Sequence, residues 1–124
     1  MAKFVISEFY AGYKPEEIPS EVKKNLMALC DICNEWGKLY PMPIAVKRGY
    51  RDESLNKKVG GSLTSPHLLG LAADFVDKDG SLALWFMNNT HVLRELNLFM
   101  ENPQKTLGWV HLQTRKCSQT VFNP

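Results

Sequence analysis

The sequence predicts an α+β domain in which a small antiparallel sheet packs with helices. Apolar residues recur at helical spacing in the first third of the chain, and short strand-like runs follow in the remainder. The helices and strands do not form evenly spaced βαβ units, which favours an antiparallel sheet. With 124 residues and 44% hydrophobic side chains, residues 1–124 are expected to form one domain with one small core.

The clearest predicted helix follows an interrupted segment. Residues 1–19 are expected to be an irregular lead-in, because Pro15 and Pro19 break regular structure. Ser20 is predicted to cap a helix that begins at Glu21, whose charge suits the N-terminal end. The apolar stripe of this helix comprises Val22, Leu26, Leu29, Cys30, Cys33 and Trp36, before Gly37 ends the run.

The positions and the number of the cysteines favour a structural role over a redox or metal-binding role. Cys30 and Cys33 fall on the apolar stripe, so burial is favoured over the redox or metal site that a CxxC pair could also indicate. With Cys117 the count is three, and an odd count argues against a disulfide framework.

Short strands and short helices alternate along the rest of the chain. Strands are predicted at residues 44–46, 71–76, 97–100, 107–112 and 121–122, the last of them at the sheet edge. Helices are predicted at residues 52–58 and from Ser81, as a cap, through Asn89, and a helical piece or turn at residues 90–95.

Two short motifs, at residues 65–74 and 108–111, contain side chains that a metal ion could use. They supply His67, Asp74 and His111, a set of two imidazoles and one carboxylate that suits a catalytic zinc with an open fourth position. Six residues separate the first two, a gap too long for one helix face and suited to a loop ligand followed by a strand ligand.

Strand alternation brings these ligands within reach of one another. Gly70 allows a tight turn after His67, and Asp74 shares its strand face with the small side chain of Ala72. If the strands that carry Asp74 and His111 pair, the two side chains meet and His67 closes the third side. Each residue taken alone is more often structural than a ligand, so an α+β domain without metal stays an alternative.

The whole pattern resembles a known family. The motif is Ser65-x-His67-x-x-Gly70-x-Ala72-x-Asp74 followed by Trp109-x-His111, preceded by Gly49-Tyr50-Arg51-x-x-x-Leu55-Asn56-x-x-Val59-Gly60-Gly61-Ser62. It resembles the zinc peptidases related to D-alanyl-D-alanine carboxypeptidases and to the hedgehog signalling domain. The small phage and bacterial members that cut peptidoglycan peptides are the most similar, over roughly residues 4–113.

The resemblance implies a zinc ion held by His67, Asp74 and His111. It also implies a hydrolase that cuts peptidoglycan stem peptides, either as a D-Ala-D-Ala carboxypeptidase or as a murein endopeptidase. A zinc-stabilised module that binds the cell wall or belongs to a virion, with weak or no catalysis, is the alternative. The third histidine, His91, has no counterpart in the motif and is expected to be structural or exposed.

The resemblance also suggests substrate-binding residues. Arg51 matches a family arginine that lies near the substrate and stabilises negative charge, the alternative being a surface ion pair. Tyr50 beside it and Ser65 before the first ligand are expected to contact substrate, and Ser65 could instead hydrogen-bond a ligand.

The general base is less clear. Many relatives have an acidic residue three positions before the last histidine ligand, where this chain has Gly108. Glu101 is the best replacement because it ends the strand before the turn that leads to His111. The alternative is an exposed charge at a strand end.

Net charge and hydropathy indicate which classes of binding partner and which location to expect. A net charge of +2 is too small to indicate nucleic acid, although it is compatible with an anionic polymer such as a cell wall. No run approaches the ~20 apolar residues of a membrane span. The first residues lack the apolar segment of a signal peptide. A monomer made in the cytoplasm is expected, and the resemblance suggests access to the wall through phage lysis or within a virion.

Overall fold

Five α-helices and five β-strands make up the computed structural model, which describes residues 1–124. The helices are α1 (Ile6–Phe9), α2 (Ser20–Gly37), α3 (Glu53–Lys58), α4 (Ser81–Asn88) and α5 (Thr90–Glu95). The strands are β1 (Val46–Arg48), β2 (Ala72–Asp77), β3 (Phe99–Glu101), β4 (Gly108–Gln113) and β5 (Val121–Phe122). Short 3₁₀ helices cover Pro15–Glu17, Pro66–Leu69 and Pro103–Lys105. None of the helices combines the length and the apolar character that crossing a membrane requires.

The strands form one sheet in the order β1-β2-β4-β3-β5. All neighbouring pairs are antiparallel except β3 and β5, which run parallel. The central ladder joins β2 and β4 from Ala72 opposite Gln113 to Asp77 opposite Gly108. The predicted α+β class with a small, mainly antiparallel sheet is therefore confirmed, and β5 lies at the sheet edge as expected.

The two faces of the sheet have different roles. Because side chains alternate along a strand, one face carries the buried apolar residues Ala73, Phe75, Met100, Val110 and Leu112. The opposite face carries the polar residues of the candidate site. This separation lets one short strand serve the core and the chemistry together.

Helix α2 covers the apolar face with the stripe that the sequence predicts. Its Trp36 is fully buried, and its ring centroid lies 5.4 Å from that of Phe75 and 5.1 Å from that of Phe86. Cys30 and Cys33 are buried in the same core, and all three cysteines are free. The packing interpretation of the CxxC pair is confirmed.

The lead-in at residues 1–19 is more ordered than expected. It contains α1 and a 3₁₀ helix, and both Phe4 and Phe9 are buried in the core. The Phe4 ring lies 5.3 Å from that of Trp36, so contact with α2 organises a segment whose own sequence has weak helical preference. Proline interrupts regular structure here without preventing it.

Two predicted helix caps are wrong in detail. Ser20 is the first residue of α2, and Pro19 occupies the cap position without a side-chain hydrogen bond. At α4, Ser81 is likewise helical, and the carboxylate of Asp77 accepts two backbone N–H groups of the first turn at 2.9 Å each. A carboxylate is a stronger acceptor than a hydroxyl and also complements the positive end of the helix dipole.

Several strand boundaries differ by one or two residues from the prediction. The first strand is Val46–Arg48 rather than 44–46, and the third is Phe99–Glu101 rather than 97–100. The second and fourth each begin one residue later than expected, at Ala72 and Gly108. Differences of this size are common at the ends of strands, because hydrogen bonding there depends on the neighbouring strand rather than on the local sequence alone.

Substitution of Gly70 by alanine is expected to destabilise the fold more than the same change at Gly80. Both glycines have positive φ, +73° and +77°, and alanine at such a position costs about 1 kcal/mol. Only at Gly70 would the new Cβ lie 2.7 Å from the carbonyl oxygen of Val22 in α2, which adds about 1–3 kcal/mol of overpacking. Denaturant unfolding of both variants measures the difference, and equal costs would contradict it.

Candidate metal centre

One cross-strand row of the sheet contributes five of the residues that line an open cavity of about 320 Å³. Arg48 is paired with Asp74 in this row, and Asp74 is paired with His111. The register of β3 brings Glu101 level with His111 and pairs it with Phe122. The row therefore crosses all five strands, with the two possible strand ligands at its centre.

Three ligand atoms converge above the centre of this row. The Nε2 atom of His67 lies 3.4 Å from Oδ1 of Asp74, and Nδ1 of His111 lies 2.8 Å from the same oxygen. All three side chains are buried, and their ligand atoms lie within 4.8 Å of one another. Ligand atoms of a tetrahedral zinc are about 3.3 Å apart for metal–ligand bonds of about 2.0–2.2 Å. The group could hold a metal ion of that size.

The ring of His67 is oriented by a backbone carbonyl. Its Nδ1 lies 2.8 Å from the carbonyl oxygen of Gly49, which can only accept, so Nδ1 carries the proton in the neutral ring. The lone pair on Nε2 then faces Asp74. The backbone N–H of His67 donates to Oγ of Ser65, and Gly70 closes the turn with a φ of +73°. His67 thus precedes strand β2 as expected, but it lies in the short 3₁₀ helix Pro66–Leu69 rather than in an irregular loop.

The ring of His111 is oriented by Gln113, a residue that the sequence analysis did not assign. Its Nε2 lies 2.8 Å from Oε1 of Gln113, whose amide nitrogen donates to the carbonyl of Arg115 at 3.0 Å. That second bond fixes which end of the amide faces His111, so Nε2 is the donor and Nδ1 is free for a cation. The sequence could have indicated Gln113, because residues two apart on a strand share a face and Gln113 lies two positions after His111.

These orientations fit a bound cation. The lone pair of His67 and the Nδ1 atom of His111 both face the same carboxylate oxygen of Asp74, so a proton or a metal ion has to lie between them. Burial raises the pKa of Asp74, but its hydrogen bonds to both histidines outweigh burial and hold that pKa well below its usual range. Burial lowers the pKa of His111, and the hydrogen bond and charge of Asp74 reverse the effect and raise it.

Arg51 and Ser65 lie together at the wall of the cavity. Nη2 of Arg51 donates to Oγ of Ser65 at 3.0 Å, and the backbone N–H of Arg51 donates to the carbonyl of His67 at 3.3 Å. Both residues line the cavity next to His67. The arginine is thus hydrogen-bonded to the segment that carries the first candidate ligand.

Tyr50 does not line this cavity. Its ring is buried against Tyr13, with centroids 5.0 Å apart, and it borders a neighbouring cavity instead. Its backbone N–H donates to the carbonyl of Phe9 at 3.0 Å, which attaches the lead-in to the segment before Arg51. A substrate role for Tyr50 stays a prediction, and the contacts seen here are packing contacts.

Glu101 lies on β3, at the opposite side of His111 from Asp74, and its side chain borders the cavity. Burial raises the pKa of its carboxyl, while the positive charge of His111 acts in the opposite direction. Gly108 is exposed and has a φ of +91° at the start of β4. Asp74 and Glu101 are therefore the two acidic residues that line the cavity, and position 108 contributes no carboxylate.

Arg48 is the second residue that the sequence analysis left unassigned. Its Nη1 lies 3.4 Å from Oδ2 of Asp74, the carboxylate oxygen that does not face the histidines. No local pattern indicates this contact, because it depends on the pairing of β1 with β2. Arg48 and Arg51 together place two guanidiniums at one cavity.

Replacing Gln113 by leucine is expected to weaken zinc binding about 10–100-fold, because the N–H of His111 loses the acceptor that fixes its orientation. Competition with a chromophoric chelator measures the affinity. Gln104→Leu, an exposed position outside the cavity, is the matched control. Unchanged affinity in Gln113→Leu, with an unchanged unfolding temperature, would show that the amide does not select the ligand atom.

Comparison with known proteins identifies a matching family. A search for similar sequences among curated proteins gives no match. The family model described as Peptidase M15 matches residues 3–113, which include all three candidate ligands. The match spans most of the sequence and confirms the predicted resemblance to the D-Ala-D-Ala carboxypeptidase group. M15 peptidases are zinc-dependent hydrolases. The chain belongs to the peptidase M15 family.

Proposed function

We propose that this protein is a zinc-dependent peptidase that hydrolyses peptide bonds in peptidoglycan stem peptides. The observation that carries the proposal is the convergence of His67, Asp74 and His111 in a cavity that also holds an arginine and a glutamate. Family membership supports the hydrolase class and the zinc ion. Three protein ligands leave a fourth position for water or substrate, as catalytic zinc sites require.

His67 and Asp74 would hold the ion from the loop and from β2, and His111 would hold it from β4. Bound zinc supplies a Lewis acid that polarises the scissile carbonyl and lowers the pKa of water to about 7. The hydrogen bonds from His67 to Gly49 and from His111 to Gln113 keep both rings in the orientation that binding needs.

The chemical steps fall to Glu101 and Arg51. The oxygen of the attacking water would bond to the scissile carbonyl carbon while Glu101 accepts its proton. Glu101 would then pass that proton to the amide nitrogen, and the bond between carbon and nitrogen would break as the amine leaves. Arg51 would stabilise the negative charge that develops on the carbonyl oxygen, and such electrostatic stabilisation is usually the largest contribution to catalysis. Ser65 holds the guanidinium in place for that role.

Family membership supports the proposed substrate class. Peptidoglycan stem peptides are the proposed partners, cut either at the C-terminal D-Ala-D-Ala bond or within a cross-link. Action on the wall after phage lysis, as an endolysin, or from within a virion, is consistent with this substrate. A monomer suffices for the chemistry, since one chain contributes every residue named above.

Digestion of purified peptidoglycan by the zinc-loaded protein tests the proposal. We expect new peptides in the mass spectrum, lost when a chelator removes zinc and restored when zinc is added back. Asp74→Asn, which alters one of the three proposed ligands, serves as the inactive control. Stoichiometric zinc without new products would contradict the proposed hydrolysis and favour the zinc-stabilised binding module, for which the glycine at position 108 is the supporting feature.

A further inference from the structure

The half-exposed side chain of Arg48 lines the cavity. Its side chain is 43% exposed, and its hydrogen bond to Oδ2 of Asp74, at 3.4 Å, is the one that the guanidinium makes within the protein. A guanidinium has five N–H donors in a planar fork that suits carboxylate oxygens. Most of those donors are therefore available to a ligand that enters the cavity.

Trp109 holds this guanidinium at the cavity wall. The Cζ atom of Arg48 lies 5.5 Å from the centroid of the indole ring, within the range of a cation–π contact. The amine of Lys47 lies 4.9 Å from the same ring, but Lys47 does not line the cavity. The two cations therefore share one aromatic platform, and only one of them faces the site.

The second arginine of the cavity is placed differently. Arg51 is attached to Ser65 and to the backbone of His67, which suits a group that acts on the reacting carbonyl. Arg48 lies on the edge strand β1, across Asp74 from the other ligands. Its position is suited to a part of the substrate that does not react.

The charges along the row also differ from end to end. Arg48 lies at one end, and Glu101 lies three strands away, a separation of roughly 14 Å between backbones at about 4.8 Å per strand. The guanidinium of Arg48 covers part of this span, because its Nη1 reaches Asp74 on the next strand. An anionic group of the substrate would be repelled near Glu101 and attracted near Arg48. With a divalent ion on the central ligands the cavity has an excess of positive charge, which favours an anionic ligand.

We propose that Arg48 binds the free C-terminal carboxylate of the substrate peptide, so that the protein removes a C-terminal residue rather than cutting within a chain. This inference rests on the proposed peptidase function and specifies its substrate. A charge-assisted pair of this kind strengthens binding by about 10–100-fold.

The test compares diacetyl-L-Lys-D-Ala-D-Ala with its C-terminal amide. We expect the parent protein to prefer the free acid by about 10–100-fold in kcat/KM. Arg48→Gln is expected to bring the acid-to-amide ratio close to one, mainly through the KM of the acid. Lys47→Gln, which removes a cation from the same indole ring outside the cavity, is expected to keep the preference of the parent.

Three results would overturn the inference. Equal cleavage of the acid and the amide by the parent would leave the peptidase in place and remove the carboxylate subsite. An equal loss of kcat/KM on both substrates in Arg48→Gln, together with weaker zinc binding, would show that Arg48 only positions Asp74. Loss of the preference for the free acid in Lys47→Gln would show that this preference depends on the overall positive charge and not on Arg48.

A binding measurement separates this inference from the proposed function. If no peptide is cleaved, calorimetry of the zinc-loaded protein with D-Ala-D-Ala and with its amide still tests whether Arg48 binds the carboxylate. Tighter binding of the acid by the parent, lost in Arg48→Gln, supports the subsite even though hydrolysis fails. Equal binding of both dipeptides refutes it.

Discussion

Replacing Glu101 by glutamine is expected to lower kcat by about 10²–10⁴-fold, the usual contribution of a general base, while zinc affinity stays within about two-fold. Glutamine keeps the shape of the side chain and removes its ability to accept a proton. Glu101 is not one of the three converging ligands, so the metal should remain bound. Steady-state kinetics on a D-Ala-D-Ala peptide and metal analysis of the same sample measure the two quantities.

The pH profile gives a second readout for Glu101. Burial raises the pKa of this carboxyl above the ordinary glutamate value of about 4.3. A general base must be deprotonated, so the activity of the zinc-saturated protein should fall as the pH drops through the pKa of Glu101. Glu101→Gln should lack this component and keep only the loss of activity that follows zinc release in acid. Glu95→Gln, an exposed position in α5, is the control. Unchanged turnover in Glu101→Gln would remove the residue from the mechanism.

The convergence of Asp74 and His111 was largely predictable because strand alternation is a strong rule. Asp74 and His111 each lie on the polar face of a strand whose other face is apolar, and that pattern leaves one orientation that buries the apolar side. The register then pairs the two residues directly, as expected. The position of His67 followed from the spacing and from a glycine that could turn.

The ends of the row were less predictable. Glu101 lies level with His111 only because β3 pairs with β4 in one particular register, and Arg48 reaches Asp74 only through the pairing of β1 with β2. The contact of Arg48 with Asp74 joins residues distant in sequence, and no local pattern encodes the register of a three-residue strand. The same limit explains the lead-in, since Phe4 and Phe9 are ordered by contacts with residues far along the chain.

Zinc is expected to stabilise the protein, and this effect should increase with pH. At a zinc concentration about 100 times Kd, binding contributes about 2.7 kcal/mol, which corresponds to roughly 10 °C in Tm for a chain of this size. The ligands must be deprotonated to bind, so zinc competes with the proton on His111. Calorimetric scans with and without zinc, from about pH 5 to about pH 8, measure the difference in Tm.

The sign of the pH dependence follows from the raised pKa of His111. In the metal-free protein the protonated ring pairs with Asp74, and this contribution to stability is complete below the ordinary histidine pKa of about 6.5. It is lost as the pH rises through the raised pKa. Zinc binding has the opposite dependence, because it is favoured above that pKa. The zinc-dependent rise in Tm should therefore be small in acid and largest above neutral pH.

Two histidine variants distinguish this explanation from nonspecific metal binding. His111→Gln removes the ring that the proton and the metal share, so both the zinc-dependent rise in Tm and its pH dependence should disappear. His91→Gln alters an exposed histidine of α5 and should change neither. A zinc-dependent rise that persists in His111→Gln, or that has the same size at both ends of the pH range, would contradict the ligand assignment. Because the measurement needs no substrate, it tests the metal centre independently of catalysis.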